Sequence, residues 1–275
     1  ANAAERGKLL VSSDRVIGVR VNGASRAYPI YMLNAHEIVN DTLGGVPIAV
    51  TYSPLSDTAM VFERDVDGTV LEFGVSGLLY NANLLMYDRA TTSLWSQIYA
   101  RAVTGPHADR KSRLVVIPSA VTVWSQWMAD RPETTVITKD PAVERRYKEI
   151  TYDRYLRSDD LMYPVEPAPP EDGPRPKMRL LVVQIDDQRL LLPVERFAGD
   201  PGERRLHTVT HHGVRLLVVS SPDPATAYIA SAVPTDPART PQIVTWQTMW
   251  FQWHAMFPDA VITPPATGTP LAIGF

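Results

Sequence analysis

The sequence predicts an α+β, β-rich fold: two related, mainly antiparallel β lobes from an internal duplication, each with a short helix. The first observation is a degraded repeat. Residues 50–62 return at 218–230, where Val50, Ser53, Pro54, Thr58 and Ala59 find identical partners, and Gly45-Val46 matches Gly213-Val214. The second is its extent: 19–23 leading into 28–30 resembles 183–187 leading into 192–194, and Trp124-Ser125-Gln126-Trp127 resembles Trp250-Phe251-Gln252-Trp253. Each copy closes on Val-Ile-Thr, at 136–138 and 261–263. The third is a one-sided insertion at about 74–112, present only in the first copy. Two matched copies make a pair of lobes, unlike a solenoid, whose units recur every ~20–50 residues.

Residues 16–21 alternate as a strand, Asn22-Gly23 is a type I′ hairpin signal, and 26–30 return as a second strand. A turn at Gly44-Gly45 leads into strands at 46–52 and 58–64, which are rich in β-branched and apolar residues. Asp67-Gly68 closes another hairpin into 69–75, and 114–117 reads as a short buried strand. Ser119 reads as the N-cap of a helix running to about Asp130, with Val123 and Trp127 on its buried face. Residues 163–177 hold a dense run of prolines, which fix φ and favour an extended spacer. The expected division is a first lobe at 1–162 with its insertion, a Pro-rich linker at 163–177, and a shorter second lobe at 178–275.

The chain has 275 residues, 45% apolar and 21% charged, ample for either one large domain or two lobes. A formal net charge of −3 without a basic stripe argues against a nucleic-acid partner. No apolar run approaches the ~18–20 residues of a membrane helix. Zero cysteines exclude disulfides, thiolate nucleophiles and Cys-ligated metals. The small residues of the Ala1-Asn2-Ala3-Ala4 start fit a processed secretory chain, so an extracytoplasmic location is expected.

Several blocks together resemble one family. They are Ile17-Gly18-Val19 with Asn22-Gly23, Ala27-Tyr28-Pro29, His36-Glu37-Ile38-Val39-Asn40-Asp41, 76–81, 84–89 and Ser93-Leu94-Trp95-Ser96-Gln97. The chain is similar over about 14–265 to the prokaryotic domain-of-unknown-function family numbered 3179. The resemblance implies a secreted or membrane-tethered bacterial or archaeal protein and brings no established activity. It also implies Cys-Pro-Leu-Cys-Gly-Thr where this chain has Ser53-Pro54-Leu55-Ser56-Asp57-Thr58, and Asp where it has Asn83. Paired thiols suit a soft metal or a redox disulfide, whereas serine hydroxyls supply neither.

The candidate binding or degenerate site is therefore His36, Glu37, Tyr52, Ser53, Ser56 and Asp57, with Tyr80, Asn81, Asn83, Tyr87, Arg89 and Trp95 from the insertion. His36-Glu37 starts like a zinc-protease helix, but Asn40 stands where the second His is required. His207 and His211 share one side of a strand and read as surface histidines on a sheet edge. No catalytic residue, resident metal or cofactor is assigned. The expectation is a non-catalytic accessory or assembly subunit with a protein partner in a membrane-associated complex. Two alternatives stay open: a metal-binding protein or hydrolase using His36, Asp57 and 76–97, and a small-ligand carrier with its pocket beneath the insertion.

Overall fold

The chain is seen in a computed structural model that describes residues 10–138, 146–197, 205–222 and 224–259. The Ala1–Ala4 start and the closing triplet at 261–263 lie outside these residues. The architecture is β-rich, with several antiparallel sheets and few, short helices.

The hairpin of β1 (Arg15–Val21) and β2 (Ala24–Pro29) turns at Asn22-Gly23, both left-handed at φ 48° and 83°. That is the backbone a type I′ turn requires. A strand running on through Ile30 is not what forms. Pro29 ends β2, and Ile30–His36 is a helix burying Ile30, Met32 and Leu33. A meander follows: β3 (Ile38–Leu43), β4 (Val46–Ser53) and β5 (Thr58–Glu63). The tiny hairpin β6 (Asp65–Val66) and β7 (Thr69–Val70) turns at Asp67-Gly68.

The insertion builds its own four-stranded sheet from β8 (Phe73–Tyr80), β9 (Asn83–Asp88), β10 (Leu94–Ser96) and β11 (Arg101–Ala102), in the order β11-β10-β9-β8. β12 (Val116–Ile117) pairs with β5. β13 (Ser119–Val123) then overturns one expectation, because Ser119 caps no helix. Residues 119–123 zip onto 15–19 of β1, and the helix begins only at Trp124, capped by Val123 without a side-chain bond. The segment Ser-Ala-Val-Thr-Val is β-branched at its last three positions, and strand pairing outcompetes the local capping signal. β14 (Thr135–Val136) lies parallel to β2.

Beyond the helix Asp153–Arg157, the proline-rich strap packs onto the body. Val165 is buried against Met249, Phe251 and Ala255, and Glu166 bonds Asn81 through both its N–H and its carbonyl. Then come β15 (Arg179–Ile185), β16 (Gln188–Pro193), a 3-10 turn at Val194–Phe197, β17 (Arg205–His211), β18 (Val214–Pro222), β19 (Ala225–Pro234), β20 (Ile243–Met249) and the helix Trp250–Met256.

Strands from before and after the strap share one sheet, ordered β16-β15-β20-β5-β4-β3. The three-stranded β17-β18-β19 sheet instead lies against β13, with Tyr228 packed on Val16, Ala27, Trp124 and Trp127. The junction between β20 and β5, where Gln247 faces Ala59, falls beside the 53–57 turn. That crosswise packing places the turn at the centre of the molecule.

The helix Trp250–Met256 buries several polar atoms without partners among the described residues, the Trp250 and Trp253 Nε1 atoms and the Gln252 amide, of which the amide is the most polar. Gln252 is fully buried, and both its amide nitrogen and oxygen lack a partner among the described residues. Its counterpart Gln126 donates to Asp130 at 3.0 Å. An unsatisfied buried polar group costs about 1–3 kcal/mol. Gln252→Met, similar in volume and free of polar demand, is expected to raise the melting temperature by a few degrees, at roughly 2–4 °C per kcal/mol. A drop in the calorimetric melting temperature would show that the amide is engaged.

Candidate functional site

Asp57 closes the β4–β5 turn in the left-handed region at φ 47°, which Asp tolerates better than most side chains. Its carboxylate is wholly buried. Arg15, the first residue of β1, reaches Oδ1 at 3.1 Å and Oδ2 at 2.9 Å through Nη2. Arg179, the first residue of β15, donates Nε to Oδ2 at 2.6 Å. The Tyr52 hydroxyl donates to Oδ1 at 2.7 Å, and Gln247 Nε2 donates to Oδ2 at 3.0 Å. One carboxylate thus ties the starts of two strands from opposite sides of the strap to the turn and to β20.

Charge follows from this geometry. Burial alone would raise the Asp57 pKa, but the flanking Arg15 and Arg179 cations and their hydrogen bonds hold it below the usual carboxylate range. Burial, with the neighbouring Asp57 charge next, pushes the Tyr52 phenol well up, so it remains a neutral donor. Two cations around one buried anion leave a net positive charge, and Arg15 Nε has no partner among the described residues.

The rest of the turn is satisfied from within. Ser56 Oγ meets Thr58 Oγ1 at 2.8 Å, which meets Thr248 Oγ1 at 2.8 Å. Asn83 Nδ2 donates to Gln97 Oε1 at 2.9 Å and approaches Ser56 Oγ at 3.4 Å. Gln97 Nε2 in turn donates to Thr51 Oγ1 at 2.8 Å and to the Thr58 carbonyl at 3.2 Å. The Leu55 carbonyl accepts from Tyr155 Oη at 2.9 Å, and the Ser56 carbonyl from the Met249 N–H at 3.0 Å. Ser53, Ser56, Asp57, Thr58 and Asn83 are all buried. Such a network rigidifies the centre, with Arg15 Nε and Gln247 Oε1 the buried polar atoms of the cluster that lack a partner among the described residues.

The other candidates stand apart. His36 ends its helix and shares a 2.7 Å hydrogen bond with Tyr147 in a cleft of about 500 Å³, lined also by Arg26, Asn40 and Asp41. Glu37 is left-handed at φ 55°, so Asn40 falls on β3 and a helical His-x-x-x-His spacing has no helix to sit on. Burial raises the Glu37 pKa. Asn40 staples the insertion to β3 through both the N–H and the carbonyl of Phe73. Trp95 is sealed in the core, with Nε1 donating to Asp88 at 2.9 Å. Asn81 holds the strap, Tyr80 is exposed, and Arg89 pairs with Glu72 at 3.0 Å beside Tyr87. His207 bonds Ser220 at 3.2 Å and stacks edgewise on Phe197, on the edge strand β17. Among the described residues, no three His, Asp or Glu side chains group to hold a metal ion, and no helix is long and apolar enough to cross a membrane.

Arg15 and Arg179 escaped the sequence reading, yet the repeat contains the signal. Extending the match of Val19 with Val183 back to the first residue of each strand pairs Arg15 with Arg179.

A family profile described as "Protein of unknown function (DUF3179)" matches residues 1–260. No curated protein matches the chain, and no solved structure does.

Proposed function

We propose, from the premise that the chain belongs to the DUF3179 family of proteins of unknown function, that it is a non-catalytic binding protein, an accessory or assembly subunit working outside the cytoplasm. The observation that carries this reading is the sealed centre. Asp57 has its oxygens taken by two guanidiniums, a phenol and an amide, and the surrounding hydroxyls bond one another. A hydrolytic triad needs a nucleophile within reach of both base and substrate, whereas Ser56 is buried and His36 faces Tyr147 instead. On this reading, the 53–57 turn, where the resemblance implies a thiol pair, is a structural latch built on Asp57. The extracytoplasmic and membrane-complex parts rest on the family resemblance and are checked by cell fractionation.

The partner surface we assign is the lip of the insertion. β8 is an edge strand, and Val75, Leu78, Leu79 and Tyr80 are exposed along it. Register slips between Val75 and Leu79, around Gly77 at φ 76°. That bulge interrupts the row of backbone donors, so a protein partner would cover the apolar side chains rather than add a full strand. A duplicated ancestry for the two halves fits this picture, with the unmatched insertion as the acquired binding element.

The test is capture from native extract with wild type and a Leu78→Asp/Leu79→Asp variant, read alongside size exclusion. One specific partner lost by the variant, at unchanged melting temperature, is expected. A solitary monomer with measurable turnover would sink the proposal. The metal-binding alternative draws on the His36 cleft and has its own check. Elemental analysis of untagged protein is expected to show no stoichiometric transition metal, and one that departs in His36→Ala would favour that reading instead.

A further inference from the structure

Arg101 on β11 lies directly opposite Arg113 across a single antiparallel bridge. Residues so placed project from the same face with Cβ atoms roughly 4.5–5.5 Å apart, and like charges there are destabilising. Both arginines line a cleft of about 580 Å³ together with Lys111, which is left-handed at φ 58°. The lining contains three cations and no carboxylate. Six other arginines, Arg15, Arg26, Arg89, Arg175, Arg179 and Arg239, each face an acid, while Arg64 and Arg189 spend their donors on carbonyl and amide oxygens instead. Among the described residues, Arg101, Lys111 and Arg113 have no such partner.

Apart from Ser112, the rest of the cleft is apolar and aromatic. Leu85, Val103 and Ala108 line it beside Tyr80 and Tyr99. Tyr99 is fixed by donating its hydroxyl to the Met256 carbonyl at 3.1 Å, and the Arg101 guanidinium lies 4.9 Å from its ring centroid. Guanidinium forks match the paired oxygens of carboxylates and phosphates. We propose that this cleft binds a small organic oxyanion, a carboxylate or phosphate monoester on a flat apolar body. The head group sits between Arg101 and Arg113, and the body lies against Leu85, Val103 and Tyr80. The cleft shares Tyr80 with the β8 lip, but it is tested on the isolated chain through Arg101 and Arg113, so its failure is distinguishable from failure of the protein partner assigned there.

The experiment is calorimetric titration and thermal shift of the full chain with phenyl phosphate, benzoate, inorganic phosphate and benzyl alcohol, repeated on Arg101→Gln/Arg113→Gln. At least one aromatic anion is expected to raise the melting temperature and to bind about tenfold or more tightly than inorganic phosphate. Benzyl alcohol is expected to do neither. The double variant should weaken that binding about tenfold or more, while its own melting temperature without ligand stays at or above wild type. The stronger of phenyl phosphate and benzoate identifies the head group. Equal binding by the double variant, equal binding of benzyl alcohol, or no response to either aromatic anion overturns the proposal.

Discussion

Asp57→Asn is expected to destabilise the protein by about 3–5 kcal/mol, the cost of removing one partner from a buried ion pair. At roughly 2–4 °C per kcal/mol, the melting temperature should fall by ~6–20 °C. The size follows from what the substitution leaves behind. Arg15 and Arg179 would keep their charges in a site where the Asp57 carboxylate is wholly buried, with their common anion gone. Asn preserves the volume, so a lost cavity contact cannot account for the effect. A double-mutant cycle separates electrostatics from packing: adding Arg179→Gln to Asp57→Asn should cost less than the sum of the two single losses. Additive losses would refute a shared ion cluster.

The same carboxylate gives stability an acid limb. Its folded pKa lies below the ordinary unfolded value of about 3.9, because the two arginine cations outweigh burial. The native state therefore binds its proton less readily than the unfolded chain does. The contribution is complete above the unfolded pKa and declines as pH falls through the folded one. Denaturant melts between about pH 5 and pH 2 should slope more steeply for wild type than for Asp57→Asn. Parallel slopes would mean that Asp57 is not the group being titrated.

The sequence made the centre of the molecule visible but not its partners. Divergence of the repeat at Ser53–Asp57 pointed to the turn that proves to be the hub of the ion cluster. Arg15 and Arg179 lie far away along the chain and on different sheets: β15 carries Arg179 in the sheet that holds β5 and β4, and β1 brings Arg15 from the β13-β1-β2-β14 sheet. Pleating divides the polar-aromatic block of the insertion between core and surface. Leu84, Met86 and Asp88 alternate into the interior, while Leu85 and Tyr87 are half-buried on the other face. The helix Ile30–His36 escaped notice because seven residues after a proline are too few to display helical periodicity. Ser119 misled for the opposite reason: a valid capping residue was overruled by a strand partner, Val19, far upstream in the chain.

Trp95→Ala is the second substitution expected to be severe, at about 3–5 kcal/mol for truncating a buried aromatic. The indole is completely enclosed, meets Phe73 edge-on at 5.7 Å and His107 at 4.9 Å, and belongs to the core that joins the insertion sheet to the seven-stranded sheet. Its N–H also donates to Asp88, whose carboxylate closes the Thr91 turn. Trp95→Phe keeps one aromatic ring of the packing but loses the donor and the rest of the indole, so it should cost at least the about 1.5–3 kcal/mol of a hydrogen bond to a charged group, and less than Trp95→Ala. Hydrogen exchange places the lesion: in Trp95→Ala, protection should fall first across 83–102 while β4 and β5 stay protected. Both the β8 lip and the Arg101–Arg113 cleft hang from this sheet, and Trp95 lines neither. The alanine variant should therefore lose partner capture and anion binding together at temperatures where the central sheet is still folded. If either survives while exchange across 83–102 is fast, that surface does not depend on the insertion sheet, and its assignment to the insertion is wrong.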